Sequence, residues 1–273
     1  MISFSPRLNI SILALLISFL SFSQDFQGQA YYVSKSGFDF GTWGARFTQA
    51  QKQQVKERLK NRLQKTYILT FNREESIFTE EEKLDAISGA TDSWGKNFSP
   101  GDIYKNIKSN ELVQNQELYN KKFLVKDKLQ SIKWQIGSET KKIGNYTCIK
   151  AKALIPSSDL TWYSFSWGDL SNSDDENNND TEKPTTLTEV EAWYTPQIPV
   201  SQGPSEYWGL PGLILEVSSG NTTILCSKII LNPEEKLKIN TPNKGKVIAK
   251  KEYKETINKR MQDFRNNRVR RTN

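Results

Sequence analysis

Short runs of alternating or wholly apolar residues recur along the chain after its first two dozen positions, and turn residues separate them. The runs lie at residues 27–37, 66–81, 111–118, 121–127, 131–136, 145–154, 160–167, 185–195, 212–219 and 222–231. No helical periodicity lies between most of them, which favours an antiparallel meander over parallel βαβ units. We predict a mainly β fold: an antiparallel curved sheet or half-barrel with one or two flanking amphipathic helices, which could count as α+β.

Two segments carry a helical pattern instead. In residues 47–65 the apolar positions form one narrow stripe on an otherwise basic and amide-rich segment, at Phe47, Val55, Leu59 and Leu63. This stripe predicts an exposed amphipathic helix whose apolar side lies against another part of the protein.

The C-terminal residues 244–273 hold eleven basic and three acidic residues. Apolar residues recur in them at roughly helical spacing, at Val247, Tyr253, Ile257, Met261 and Phe264. We predict a basic C-terminal helix with a frayed end, which docks on the sheet, stays solvated, or contacts anionic lipid or an acidic protein patch.

The N-terminus has the layout of a cleaved signal peptide over residues 1–23. Arg7 precedes an apolar stretch from Ile10 to Phe22, and small and polar residues follow. This stretch is short for a membrane anchor, and later apolar runs are shorter still. We expect an exported protein with a single β-rich domain over residues 24–243. Lipoprotein processing is not expected, because neither cysteine lies near the cleavage region.

The two cysteines, Cys148 and Cys226, lie in strand-like runs. Since export places them in an oxidising compartment, a Cys148–Cys226 disulfide is expected, with two buried free thiols as the alternative. The chain has no histidine. Ser-His-Asp triads, Cys-His pairs and His-ligated metals are therefore excluded, and we expect no metal or cofactor.

Residues 169–182 hold six acidic residues, no basic residue and one apolar residue. Such a segment cannot bury enough apolar surface to fold, so a disordered acidic insertion is predicted. Residues 85–100 carry the Gly, Ser, Asp and Pro of a second long loop.

An uncharged stretch, Gly209 to Leu215, interrupts this polar chain. Its Pro211 and Gly212 fit a type II turn with positive φ at Gly212. The following Gly220–Asn221 pair fits a type II′ hairpin loop. Counting back from that loop pairs Ser219 with Thr222, Val217 with Ile224, and Leu215 with Cys226.

The segment "WYTPQIPVSQGPSEYWGLPGLILEV" around this stretch closely resembles the defining motif of the GLPGLI family. "YTCIKA" at 146–151 and "LTFNREESIF" resemble two further elements of that family. The resemblance implies an exported envelope protein of a Gram-negative bacterium, in the periplasm or at the outer-membrane periphery. It supplies no catalytic residues, because the family has no established activity.

Aromatic and proline residues cluster around the motif and form the candidate binding site. Such side chains suit a sugar, lipid or peptide cleft, although ordinary core packing is the competing interpretation. The candidate residues are Trp193, Tyr194, Pro196, Pro199, Tyr207, Trp208, Gly209, Leu210, Pro211 and Gly212.

We therefore predict a non-catalytic envelope module that binds an envelope or outer-membrane protein, or an apolar or aromatic-stacking ligand; nucleic acid is not an expected partner. One alternative is a periplasmic lipid or lipoprotein carrier that uses a concave sheet and would need an apolar cavity. Another is a histidine-free hydrolase that uses Glu189 and Glu191. These residues lie two apart on one strand face, roughly 7 Å from each other, and would need a deep cleft.

Overall fold

The structure is a computed structural model that describes residues 26–37, 45–81, 101–163 and 186–272. The strands are β1 (Gln27–Ser36), β2 (Gln64–Asn72), β3 (Glu75–Glu80), β4 (Ile103–Asn106), β5 (Glu111–Leu118), β6 (Lys121–Lys128), β7 (Gln135–Ile143), β8 (Tyr146–Pro156), β9 (Leu187–Thr195), β10 (Leu213–Ser219), β11 (Thr222–Leu231) and β12 (Lys246–Ile248). The helices are α1 (Gln49–Leu63), α2 (Ser157–Leu160) and α3 (Lys250–Thr272).

The strands form one sheet in the order β12-β6-β5-β4-β3-β2-β1-β11-β10-β9-β8-β7. Neighbouring strands pair antiparallel, with the exception of β12, which pairs parallel with β6. The mainly β prediction is therefore confirmed, with a mixed rather than a purely antiparallel sheet. A tight turn joins β2 to β3, where the Asn72 side chain accepts the backbone N–H groups of Glu74 and Glu75.

The sheet is strongly curved, as the connection between β6 and β7 requires. These strands stand second and last in the sheet order. A flat sheet would place them about 48 Å apart at the usual strand spacing. Residues 129–134, which join them, can span at most about 25 Å. The two ends of the sheet must therefore approach each other without closing into a barrel.

The largest apolar cluster joins residues from β1–β5 and β8–β11 with Ile198 and Val200 of the β9–β10 connection. A second cluster holds α3 against β5, β6 and Trp162 through the buried Tyr253, Ile257 and Met261. The predicted C-terminal helix thus docks through part of its apolar stripe, and its Phe264 is exposed. Val247, predicted in the same stripe, lies in β12 instead, because the helix begins at Lys250.

Helix α1 lies within residues 47–65, where the apolar stripe predicted a helix. A capping box starts it: the Thr48 hydroxyl accepts the Gln51 N–H, and the Gln51 side chain accepts the Thr48 N–H. The helix leaves Val55 and Leu59 only half-buried.

Two strand predictions need correction. Residues 160–163 of the predicted strand 160–167 form the end of α2 and a turn, because Trp162 packs against α3 instead of joining the sheet. Residues 131–134 connect strands, and β7 begins at Gln135. The predicted signal peptide, the loop 85–100 and the acidic insertion 169–182 lie outside the described residues.

Candidate functional site

Residues 196–212 connect β9 to β10; we call them the motif segment. The segment packs as a buried layer, with Ile198, Val200 and Leu210 at most 2% exposed. Main-chain bonds join it to the start of β10: the Leu213 N–H donates to Ile198 (2.9 Å) and the Ile214 N–H to Gln202 (3.0 Å). The segment is therefore fixed at both ends and along its length.

The glycines of the motif have different roles from those predicted. Gly209 takes positive φ (+93°), whereas Gly212 does not, so the predicted type II turn is wrong. The Gly212 N–H donates to the Leu210 carbonyl (2.8 Å), which makes a γ-turn around Pro211. Gly212 is required because a Cβ there would lie 2.2 Å from the Thr195 carbonyl oxygen.

The hairpin after the motif largely follows the prediction. Gly220 has positive φ (+53°), and Ser219 pairs with Thr222 and Val217 with Ile224. The β10–β11 ladder ends at Glu216 and Leu225, so the predicted Leu215–Cys226 pair is not part of it. On its other side β10 pairs with β9, and the register of that pairing shifts between Ile214 and Glu216, at Leu215.

A buried lysine holds the motif segment from the sheet. Lys105 of β4 is 0% exposed, and its ammonium donates to the carbonyl oxygens of Gly203 (2.6 Å), Ser205 (2.8 Å) and Tyr207 (3.0 Å). Burial lowers the pKa of Lys105 to about 7, and the Glu206 carboxylate acts in the opposite direction. The three carbonyls use all three N–H groups of the ammonium.

Further side-chain bonds fix the segment beside this lysine. Ser76, the cross-strand neighbour of Lys105, donates to the buried Gln202 side chain (2.7 Å). The Trp134 indole donates to the Trp208 carbonyl, and the Trp208 indole donates to the Gln130 carbonyl, both at 2.8 Å. The motif segment is thereby tied to β3 and to the β6–β7 connection.

A cleft of about 200 Å³ lies against the turn 205–207 of this segment. Its other walls come from the β6–β7 connection, from residues 155–163 and from the β10–β11 hairpin. The lining residues are Gln130, Ile132, Ile155, Asp159, Leu160, Thr161, Tyr163, Ser205, Glu206, Tyr207, Val217, Ser219, Thr222 and Ile224.

Glu206 joins the cleft wall to the C-terminal helix. Its carboxylate accepts the Trp162 indole N–H (2.6 Å) and forms an ion pair with Lys250 of α3. Burial raises the pKa of Tyr207 to about 12 and also raises that of Tyr163. Both phenols therefore stay protonated and can donate hydrogen bonds at neutral pH.

The structure places the predicted binding residues in two groups. Most belong to the interior or are half-buried: Trp193, Tyr194, Tyr207, Trp208, Leu210 and Gly212. The exposed members are Pro196, Pro199, Gly209 and Pro211. Among the ten, Tyr207 alone lines the cleft.

The expected Cys148–Cys226 disulfide is not present. Both cysteines are buried free thiols. They lie on β8 and β11, which β9 and β10 separate in the sheet, so the cysteines are not cross-strand neighbours. Burial raises the pKa of Cys148 to about 11 and that of Cys226 to about 12.

Glu189 and Glu191 lie on one face of β9, as predicted. Their carboxylates are bound to lysines of β8, Glu189 to Lys152 and Glu191 to Lys150, each at 2.9 Å. Neither residue lines the cleft.

Sequence reasoning missed Lys105, Asp159 and Glu206, and it assigned the aromatic residues Trp162 and Tyr163 to a strand over residues 160–167. Lys105 stands two positions after the buried Ile103, but residues 103–106 were not predicted as a strand. The partners of Lys105 lie about a hundred positions away, and local sequence contains no signal for them.

Residues 134–216 match the model of a family described as a protein of unknown function, Porph_ging. The match spans the motif segment and β7–β9, and it does not confirm the GLPGLI name. No curated protein matches the chain.

The chain is also similar to two solved structures. One is the structure of PNGF-II in C2 space group, with TM-score 0.48, 16% identity, and 85% of this chain and 32% of that chain covered. The other is the structure of PNGF-II in P21 space group, with TM-score 0.42 and 17% identity. That similarity covers 77% of this chain and 29% of that chain. The chain thus spans about a third of the length of these solved chains.

Among the described residues, no helix is long and apolar enough to cross a membrane. The same residues contain no group of three Cys, Asp or Glu side chains suited to hold a metal ion.

Proposed function

We propose that the protein is an exported, non-catalytic binding module whose cleft beside residues 205–207 takes one sugar unit or a hydroxyl-bearing group of that size. The observation that carries the proposal is the composition of this cleft. Two tyrosines, Tyr163 and Tyr207, share it with aliphatic residues and with amide, carboxylate and hydroxyl groups. A pyranose ring needs both kinds of surface, because it has apolar faces and a polar edge.

The size of the cleft agrees with a ligand of this kind. Its volume of about 200 Å³ lies below the range of about 300–1,000 Å³ that drug-sized ligands occupy. The mixed lining also favours a polar ligand over the acyl chain that the carrier alternative requires.

The hydrogen bonds and ion pairs of the nearby carboxylates favour a binding role over a catalytic role. Glu206 is engaged by Lys250 and Trp162, and Asp159 accepts a bond from Gln130 (3.1 Å). These contacts give both carboxylates a structural role in the cleft wall. Glu189 and Glu191, the carboxylates of the hydrolase alternative, are ion-paired outside the cleft.

Isothermal titration with a panel of mono- and oligosaccharides, and with decanoate as an apolar probe, tests the proposal. Asp159→Ala and Tyr163→Leu alter the cleft, and Asp263→Ala on α3 is a matched change of an exposed carboxylate. We expect at least one saccharide to bind, with tenfold or greater weakening in the cleft variants and no change in the control. Binding of decanoate alone, or equal saccharide binding by all variants, would contradict the proposal.

A second candidate function rests on α3. Because this helix docks through Tyr253, Ile257 and Met261, its basic residues Lys251, Lys259 and Arg260 stay exposed. These residues could contact anionic headgroups, and such a contact weakens as salt rises. Sedimentation with phosphatidylglycerol vesicles at low and high salt tests it: binding that is lost in the Lys251→Glu/Lys259→Glu variant supports the contact, and salt-independent binding contradicts it.

A further inference from the structure

Two glutamines of β5 are buried without a hydrogen-bond partner among the residues that the structure describes. Gln114 is 0% exposed and Gln116 is 3% exposed. Within the described structure, neither the amide nitrogen nor the carbonyl oxygen of either side chain has a partner, and the Tyr253 hydroxyl also lacks one. Each buried polar group left unpaired costs about 1–3 kcal/mol, so native proteins contain few of them.

These groups lie in one neighbourhood. Gln114 and Gln116 are two positions apart on β5, which places them on one face. Gln116 pairs across the sheet with Phe123, whose ring centroid is 5.4 Å from that of Tyr253. The three side chains therefore surround one region between β5, β6 and α3.

The two glutamines form a polar region of the interior that lies between two apolar clusters. Leu112 and Leu118 share the alternating face of β5 with the glutamines. Leu112 belongs to the main cluster, and Leu118 belongs to the cluster beneath α3. A core that needed only packing would continue with apolar residues here, since an apolar side chain of similar size avoids the unpaired amides.

The chemistry of these groups identifies the kind of occupant. Two primary amides and a phenol offer both donors and acceptors and carry no charge. Lys105 stands on the neighbouring strand, opposite Leu112, and its three N–H donors are used by three carbonyls. Its ammonium is therefore not free to bind an ionic ligand.

We infer that Gln114, Gln116 and Tyr253 form an internal polar site that hydrogen-bonds a small neutral molecule, either ordered water or an amide- or hydroxyl-bearing solute. The site is separate from the cleft and does not rest on the function proposed for it. Its occupant satisfies the amides while the apolar clusters on both sides hold the sheet and α3 together.

High-resolution crystals of the wild-type protein, grown with and without acetamide, test this inference directly. Density within hydrogen-bond distance of both amides supports the site, as water without the additive, or as acetamide that displaces it. Amides that pair with each other or with the main chain in a dry core would overturn it.

Water relaxation dispersion in solution gives a second readout. We expect the signal of long-lived internal water to fall by half or more in the Gln114→Leu/Gln116→Leu variant. Gln135→Leu, an exposed glutamine of β7, is the matched control and should leave the signal unchanged. Equal signals in all three proteins would contradict the inference. If the double variant fails to fold, the wild-type crystals still decide the question.

Discussion

The ammonium of Lys105 lies 2.6 Å from the carbonyl oxygen of Gly203 and is completely buried. This contact joins β4 to a segment that follows it in the chain by about a hundred residues. Because the same ammonium also binds Ser205 and Tyr207, one side chain shapes the turn that forms a wall of the cleft. The motif segment therefore acts first as a structural element.

Replacement of Lys105 by Met should destabilise the protein by about 3–5 kcal/mol, because it leaves three buried or partly buried carbonyls without this donor. Urea unfolding of the two proteins measures the change. Lys65→Met, which removes a largely solvent-accessible ion pair with Glu80, is the control and should change stability by about 1 kcal/mol or less. Equal effects of the two substitutions would contradict the role of Lys105.

The contribution of Lys105 to stability should depend on pH. Its pKa is about 7 in the folded protein and about 10.4 in the unfolded chain. Between these values the unfolded chain binds more protons, so this residue makes stability rise as pH rises. In thermal melts from pH 6 to pH 10, the stability of the wild type should rise relative to that of Lys105→Met above pH 7. A constant difference would show that the lysine keeps its charge.

The glycines of the motif should differ in their tolerance of a side chain. Gly212→Ala should cost about 3 kcal/mol or more, since its Cβ would lie 2.2 Å from the Thr195 oxygen. Gly209→Ala should cost about 1–2 kcal/mol, through positive φ alone.

Gly137→Ala in β7 is the matched control for these glycines. The nearest atom to its Cβ would be 3.6 Å away, which is ordinary contact, so stability should change by about 0.5 kcal/mol or less. Thermal melts of the three variants check the order Gly212, Gly209, Gly137. A larger cost at Gly209 than at Gly212 would contradict the close approach of the Thr195 carbonyl to Gly212.

The two cysteines should behave as protected free thiols. Their pKa values of about 11 and 12 leave little thiolate at neutral pH, and burial blocks access. Iodoacetamide at pH 8 should label neither Cys148 nor Cys226 until urea unfolds the protein. A mass lower by two hydrogens, or a melting temperature that falls with reductant, would show that a disulfide forms after all.

Helix α3 should be required for stability through its apolar side. Tyr253 is 0% exposed, so Tyr253→Ala should cost about 3–5 kcal/mol. Phe264→Ala on the same helix is the control. Because Phe264 is 54% exposed, the substitution removes little buried apolar surface. Chemical unfolding compares the two. A small effect at Tyr253 would mean that the helix is dispensable for the fold.

Local pattern was sufficient to predict most of the strands, the helix α1 and the hairpin at Gly220, because each depends on neighbours in sequence. The short strands β4 and β12 were not predicted. It was insufficient for the aromatic run at 160–163, where packing of Trp162 against α3 overrides strand propensity. Gly212 was identified for the wrong reason, since the approach of Thr195 comes from a strand pairing. The cleft was missed because four separate segments meet there.

The central claim is that the motif segment is a fixed wall of the cleft rather than a mobile binding loop. Native-state hydrogen exchange of the Leu213 and Ile214 amides, which donate to Ile198 and Gln202, tests it most directly. We predict exchange only through global unfolding in wild type, and faster exchange through local opening in Lys105→Met. Rapid local exchange of both amides in the wild-type protein would contradict the claim.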